Sequence, residues 1–213
     1  MTSSGGSSGG RALAEVAARA ADFMGDTVGE LVKDGVHYLR WKLAGAILDR
    51  ASDILKERNA KKRKTPPVAM AIRFMDAASL EDDPNIQELW ARLLANAADP
   101  TRDYALNKTH IAILSEMNAL DAEILLYIAD QKWGMFRDIA EGTGISPTDR
   151  NGVAGALQAD PTAVGIALGN LWRLGCLLQE PTVTSGIGPS VAPRSSFRPS
   201  PLGFSLLQAT RSP

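Results

Sequence analysis

Asp160-Pro161-Thr162-Ala163-Val164-Gly165-Ile166-Ala167-Leu168-Gly169-Asn170-Leu171-Trp172-Arg173-Leu174-Gly175-Cys176-Leu177-Leu178 is the stretch from which the fold is read. Val164, Leu168, Leu171 and Leu174 recur at three- and four-residue steps, the buried face of a helix. Asp160 is placed to cap it, with Pro161 in the first turn. Gly175 allows a left-handed turn that directs the apolar Cys176-Leu177-Leu178 into a strand. Upstream, the pattern predicts a helix over 120–132, a short one over 136–141 and an extra helical turn over 153–158. Downstream, a Pro/Gly/Ser-rich stretch over 180–201 contains the expected wing hairpin at 183–199. A short helix from Leu202 to Thr210 follows. Helix, short helix, helix, strand, loop, strand predicts a winged-helix-like domain with a small β-hairpin over 119–213.

The rest of the chain reads as a bundle of long helices over 11–118, so the fold class is mainly α. Leu13, Val16, Ala20, Met24, Val28 and Leu31 give an apolar stripe over 11–33, with Gly25 and Gly29 on one side of it. Val36, Leu39, Leu43, Ile47, Ala51 and Ile54 mark a second helix over 34–59, decorated elsewhere by Arg40, Lys42, Arg50, Lys56 and Arg58. Lys61-Lys62-Arg63-Lys64 and Pro66-Pro67 close it and make 60–67 an exposed loop or hinge. Further helices are expected over 68–78, over 84–98 after an Asp82-Asp83 cap, and over 108–117. In the fourth, Ile86, Leu89, Trp90, Leu93, Leu94 and Ala97 form a broad apolar face. Residues 1–10, rich in Ser and Gly, are set aside as a flexible tail.

Composition removes most enzyme classes. The 213 residues include two histidines and one cysteine, which excludes an intramolecular disulfide and any multi-cysteine metal site. No His-x-x-x-His pair, Walker-type loop or Gly-x-Ser-x-Gly occurs; Gly142-Thr143-Gly144 is a lone glycine turn. His37 and His110 are expected at the surface or on a helix flank. Cys176, in an apolar run, is expected as a buried thiol. Glu81-Asp82-Asp83 reads as a helix-capping run rather than a cation site. The sequence therefore points to no catalytic residue, no cofactor, no metal and no small-molecule substrate. Without a signal-like leader or an apolar span of about eighteen residues, the expected compartment is the cytoplasm.

Charge is distributed unevenly. Residues 1–64 hold twelve Lys/Arg against eight Asp/Glu, and residues 65–213 hold eleven against sixteen. A basic first third suits an anionic or acidic partner. Arg40, Trp41, Lys61, Lys62, Arg63 and Lys64 are the candidate interaction surface. Trp41 between Arg40 and Lys42 suits a protein contact, and a lipid surface is a weaker expectation. Sequence-specific DNA binding is disfavoured. The third winged-helix helix offers only Asn170 and Arg173 to base edges, among Thr162, Ala163, Gly165, Ile166 and Gly169. Arg194 and Arg198 on the wing add weak nucleic-acid contacts, too few cations for strong phosphate binding.

Two segments together carry a resemblance. One is Tyr38-Leu39-Arg40-Trp41-Lys42, continuing to Ile54-Leu55-Lys56-Glu57-Arg58. The other is Ala77-Ala78-Ser79-Leu80-Glu81-Asp82-Asp83, followed by Leu89-Trp90-Ala91-Arg92-Leu93-Leu94-Ala95-Asn96-Ala97. The sequence resembles the abortive-infection alpha (Abi-alpha) family of bacterial proteins over most of residues 28–210. Ile113-Leu114, Leu120-Asp121-Ala122, Asn170-Leu171-x-x-Leu-Gly and Pro201-Leu202-Gly203 also fit, whereas 143–160 and 183–200 depart. The resemblance implies phage defence by a helical protein without a recognised catalytic motif. Trp90, Leu93, Leu94 and Asn96 are family-motif positions expected to be structural. The resulting expectation is a non-enzymatic defence protein that binds another protein or itself as a homo-oligomer. The alternative is a winged-helix transcription regulator.

Overall fold

A computed structural model describes the chain over residues 6–24, 38–60, 62–129, 149–181 and 195–211. In chain order the described elements are α1 (Gly6–Met24), α2 (Tyr38–Glu57), α3 (Val68–Ala78), α4 (Pro84–Ala98), α5 (Lys108–Ser115), α6 (119–129), α7 (Arg150–Leu157), α8 (Pro161–Arg173), β1 (Leu177–Pro181), β2 (Ser195–Pro199) and α9 (Pro201–Ala209). The class is mainly α with one two-stranded antiparallel sheet. The chain divides into two compact units: Met1–Glu116 with Ala209–Pro213, and Met117–Gln208.

In the first unit, α2 packs on α1 and on α4, and α3 packs on α5. Small residues set the α1–α2 approach: Ala17 and Ala20 on one helix, Ala44 and Ala51 on the other, all buried. Phe23, Ile47, Leu48, Ile54 and Leu55 fill the space around them. The α4 face is buried at every expected position, Ile86, Leu89, Trp90, Leu93, Leu94 and Ala97. Its start is fixed by Asp83, whose Oδ1 accepts from Asn85 N (2.8 Å) and Ile86 N (3.2 Å), satisfying two first-turn donors, while Pro84 has no N–H to satisfy. Phe74 meets Trp90 edge to face, centroids 5.2 Å apart. Asn107 caps α5 by accepting from His110 N at 2.9 Å.

In the second unit, Asn118 and Asp121 cap α6 reciprocally: each side chain accepts from the other's backbone N–H at 3.0 Å. Asp149 caps α7 and Asp160 caps α8. Val164, Ala167, Leu168 and Leu171 of α8 are buried. Gly175 takes φ +72°, and the turn closes as a Schellman motif: Cys176 N donates to Leu171 O (2.9 Å) and Gly175 N to Trp172 O (3.0 Å). The chain enters β1 there. β1 pairs with β2 from Leu177↔Pro199 to Pro181↔Ser195. Ser200 N then returns to Cys176 O at 2.8 Å. Ser200 Oγ accepts from Gly203 N at 2.9 Å and donates to Gly175 O, so the start of α9 is seated on the Gly175–Cys176 turn.

Several expectations need correction. Gly6–Gly10, read as tail, are helical and open α1. Arg58, read as decorating an outer side of its helix, has a side chain only 9% exposed. Its position explains this: 47, 51, 54 and 58 continue one three- and four-residue stripe. His110 is buried in the first turn of α5 rather than at the surface. Its ring stacks on Tyr104, and Nδ1 lies 2.9 Å from Tyr104 Oη. Burial holds the His110 imidazole below its ordinary pKa. The expected short helix over 136–141, the turn at Gly142-Thr143-Gly144, Gly25, Gly29, His37 and most of the wing stretch 183–199 lie outside the described residues.

Candidate functional site

Two surfaces deserve description as sites, one in each unit. The first is a cavity of about 490 Å³ lined by Arg58, Asn59, Ala60, Lys62, Asp99, Pro100, Thr101 and Arg102. It forms where α2 and α4 end. Asn59 takes φ +56° and closes α2 in the same manner as Gly175 closes α8, with Asn59 N on Lys56 O (2.9 Å) and Ala60 N on Leu55 O (3.0 Å). Asp99 closes α4, its N–H donating to Ala95 O. Arg58 Nη1 donates to Asn96 Oδ1 at 2.8 Å and lies 3.6 Å from Asp99 Oδ2. Arg58 Nε and Nη2 are buried without a hydrogen-bond partner among the described residues. Burial, and then the neighbouring Arg102 charge, push the Arg58 guanidinium below its ordinary pKa. Burial would raise the Asp99 carboxyl, but bonds from Thr101 and the charges of Arg58 and Arg102 bring it below the ordinary range.

The expected basic surface over 61–64 is divided by the fold. Arg63 stacks over the Phe23 ring (4.5 Å to the centroid), pairs with Asp22 and donates to Ser52 Oγ. Lys64 Nζ donates to the carbonyls of Arg102 (2.7 Å) and Tyr104 (3.1 Å). Both are thus spent on internal contacts, whereas Lys62 is exposed at the cavity. Lys61 and Arg194 lie outside the described residues, as do the side chains of Arg40 and Trp41.

The second surface is the outer face of α8. Ile166 is 70% exposed and Trp172 58%. Thr162 and Gly169 lie between them on the helical wheel and are exposed. No atom comes within 4 Å of the place a Gly169 Cβ would take. Asn170 is turned away from a reading role: its Nδ2 donates to Asp121 Oδ2 (2.7 Å), and its Oδ1 accepts from Arg173 Nη2 (2.8 Å). Arg198 sits half-buried on β2, opposite Leu178. Trp172 has none of the polar base-reading chemistry of a recognition helix, so the sequence does not single it out. On the wheel it flanks the buried Leu168, so periodicity alone reads it as the edge of the core stripe.

Among the described residues no three His, Cys, Asp or Glu side chains gather to hold a metal. The Cys176 thiol is buried, and its burial followed by the Asp121 charge pushes its pKa up to about 11. No described helix is long and apolar enough to cross a membrane.

The family-motif residues are internal. Trp90, Leu93, Leu94 and Asn96 are all buried. Asn96 joins the Arg58 contact to a bond from its Nδ2 to Ala209 O at 2.6 Å. The family model for abortive infection alpha matches residues 42–210. The chain belongs to the abortive infection alpha family. Neither a curated protein nor a solved structure matches it. The family match spans both surfaces described above: every lining residue of the α2–α4 cavity and the whole of α8 fall within it.

Proposed function

We propose that this abortive-infection protein acts in the cytoplasm against phage by binding rather than by catalysis, using the outer face of α8 against another protein or a second copy of itself. Family membership supports the defence role. The observation that carries the binding reading is the pair Ile166 and Trp172, two large apolar side chains left more than half exposed on one helix. Exposed apolar groups of this size cost little singly, but on a face shared with Thr162, Gly169 and Arg173 they form a surface suited to burial against a partner. Arg173, the cation on this face, is already bonded to Asn170, which suits a protein contact better than a phosphate backbone.

The test is phage plating with cells carrying the wild-type gene or the Ile166→Glu/Trp172→Glu double variant, with light scattering on both purified proteins. The expected result is a circular-dichroism spectrum like wild type and loss of protection. Loss of an oligomer in parallel identifies the partner as a second copy. Undiminished protection overturns the reading. Specific duplex-DNA binding at physiological salt, abolished by Arg173→Gln, replaces it with the regulator.

A further inference from the structure

The cavity at the ends of α2 and α4 is unused by the α8 reading. Three cations and one carboxylate line it. Lysines and arginines at helix C-termini ordinarily serve the unpaired carbonyls there, but two carbonyls at each of these ends are already occupied by backbone N–H groups. Leu55 O and Lys56 O accept from Ala60 and Asn59, and Ala95 O and Ala98 O accept from Asp99 and Lys64. The lone carboxylate is committed as well, with Asp99 Oδ1 accepting from Thr101 N (2.9 Å) and Thr101 Oγ1 (2.6 Å). Its other oxygen stands 3.6 Å from Arg58 Nη1, beyond a normal hydrogen bond.

Asp99 offsets one charge through its ion pair with Arg58, and three cations against one carboxylate leave positive charge over. The Arg58 side chain is 9% exposed, with Nε and Nη2 unpartnered among the described residues, a desolvated cation whose field water screens poorly. Lys62 and Arg102 stand at the same cavity, and neither has an ion pair within 4 Å among the described residues. Arg102 is close enough to Arg58 to disfavour its charge. Like charges gathered around an open cavity repel one another until an anion enters.

We propose that this cavity binds the phosphoryl group of a small soluble ligand. Lys62 and Arg102 reach the phosphoryl oxygens, and Arg58 supplies fixed positive charge from behind. Several converging cations match a dianion better than a single carboxylate. A volume of about 490 Å³ leaves room beyond the phosphoryl group for a body of nucleotide size.

Calorimetric titration of the full chain tests this with inorganic pyrophosphate and adenosine monophosphate as probes, alongside sedimentation with phosphatidylcholine vesicles containing phosphatidate. The expected result is saturable binding of at least one soluble probe at one site per chain. Lys62→Gln and Arg102→Gln should each weaken it at least tenfold while leaving the circular-dichroism spectrum unchanged. Absence of saturable binding by both soluble probes overturns the proposal, as does binding that both variants retain. Association with phosphatidate vesicles but with neither soluble probe also overturns it, in favour of a lipid headgroup.

Discussion

Arg58 donates through Nη1 to Asn96 Oδ1 across 2.8 Å, so a helix-ending cation and a family-motif amide share one buried contact. Asn96 has a second task, donating to the carbonyls of Ala209 (2.6 Å) and Arg211 (3.4 Å). Its two ends cannot be exchanged: the oxygen must face the guanidinium and the nitrogen the carbonyls.

Asn96→Ala removes both at once. A buried arginine N–H and a backbone carbonyl lose their partners, and each such loss costs about 1–3 kcal/mol. We expect a lower urea midpoint and earlier proteolytic cleavage within residues 209–211. A midpoint equal to wild type means the amide is dispensable.

Gly203 and Gly169 should respond oppositely to alanine. A Cβ at Gly203 would lie 2.9 Å from the carbonyl carbon of Cys176 and closer still to its oxygen. The obstruction is backbone, so Gly203→Ala must displace the start of α9, at a cost of about 1–3 kcal/mol or more. Gly169, mid-helix with open space around it, should gain about 0.5–1 kcal/mol as alanine. Thermal unfolding of the two variants reads both signs, and destabilisation by Gly169→Ala would contradict the exposed placement of that face.

Trp90 is wholly buried, yet its Nε1 has no hydrogen-bond partner among the described residues. Trp90→Phe therefore sacrifices volume but no hydrogen bond, and Trp90→Ala should cost about 3–5 kcal/mol. Denaturant titrations should place the phenylalanine variant much nearer wild type than the alanine variant. Equal losses would show that the indole N–H matters after all.

Asp121 gives the second unit a pH dependence of definite sign. Burial lifts its carboxyl above the ordinary range, and the Asn118 and Asn170 hydrogen bonds and the Arg173 charge only partly oppose this. The folded chain holds that proton more tightly than the unfolded chain. Its contribution to stability is therefore full below the ordinary aspartate value and is lost as pH rises through the raised folded value. Asp121→Asn removes the titration, so the stability of wild type relative to the variant should fall across that window. A difference that is flat in pH would show that Asp121 titrates normally.

Local chemistry made much of the fold legible. Asp83 and Asp160 are caps, and the α4 stripe and the Gly175 turn lie where periodicity and backbone freedom put them, whereas the Asp149 cap starts its helix at Arg150, ahead of the turn expected over 153–158. The cavity was harder to see. Arg58 continues the 47–51–54 stripe, but an arginine there reads as surface until a partner such as Asn96 is known, and that partner lies 38 positions away. Thr101 and Arg102 carry no periodic signal, since they belong to a turn whose shape is set by Asp99. The basic run over 61–64 was legible as charge but not as a division of labour. Only the packing of Phe23 against Arg63, and of the Arg102–Tyr104 carbonyls against Lys64, leaves Lys62 facing the cavity.

The bond from Asn96 to Ala209 also sets a timetable. The two residues are 113 positions apart, which at about 5–20 residues per second takes about 6–23 s to synthesise. During that interval every helix from α1 to α5 has emerged, yet Asn96 lacks the carbonyl it will bind. The helical unit is thus completed only when residues 209–211 arrive, and a nascent chain halted before them carries an unfinished core.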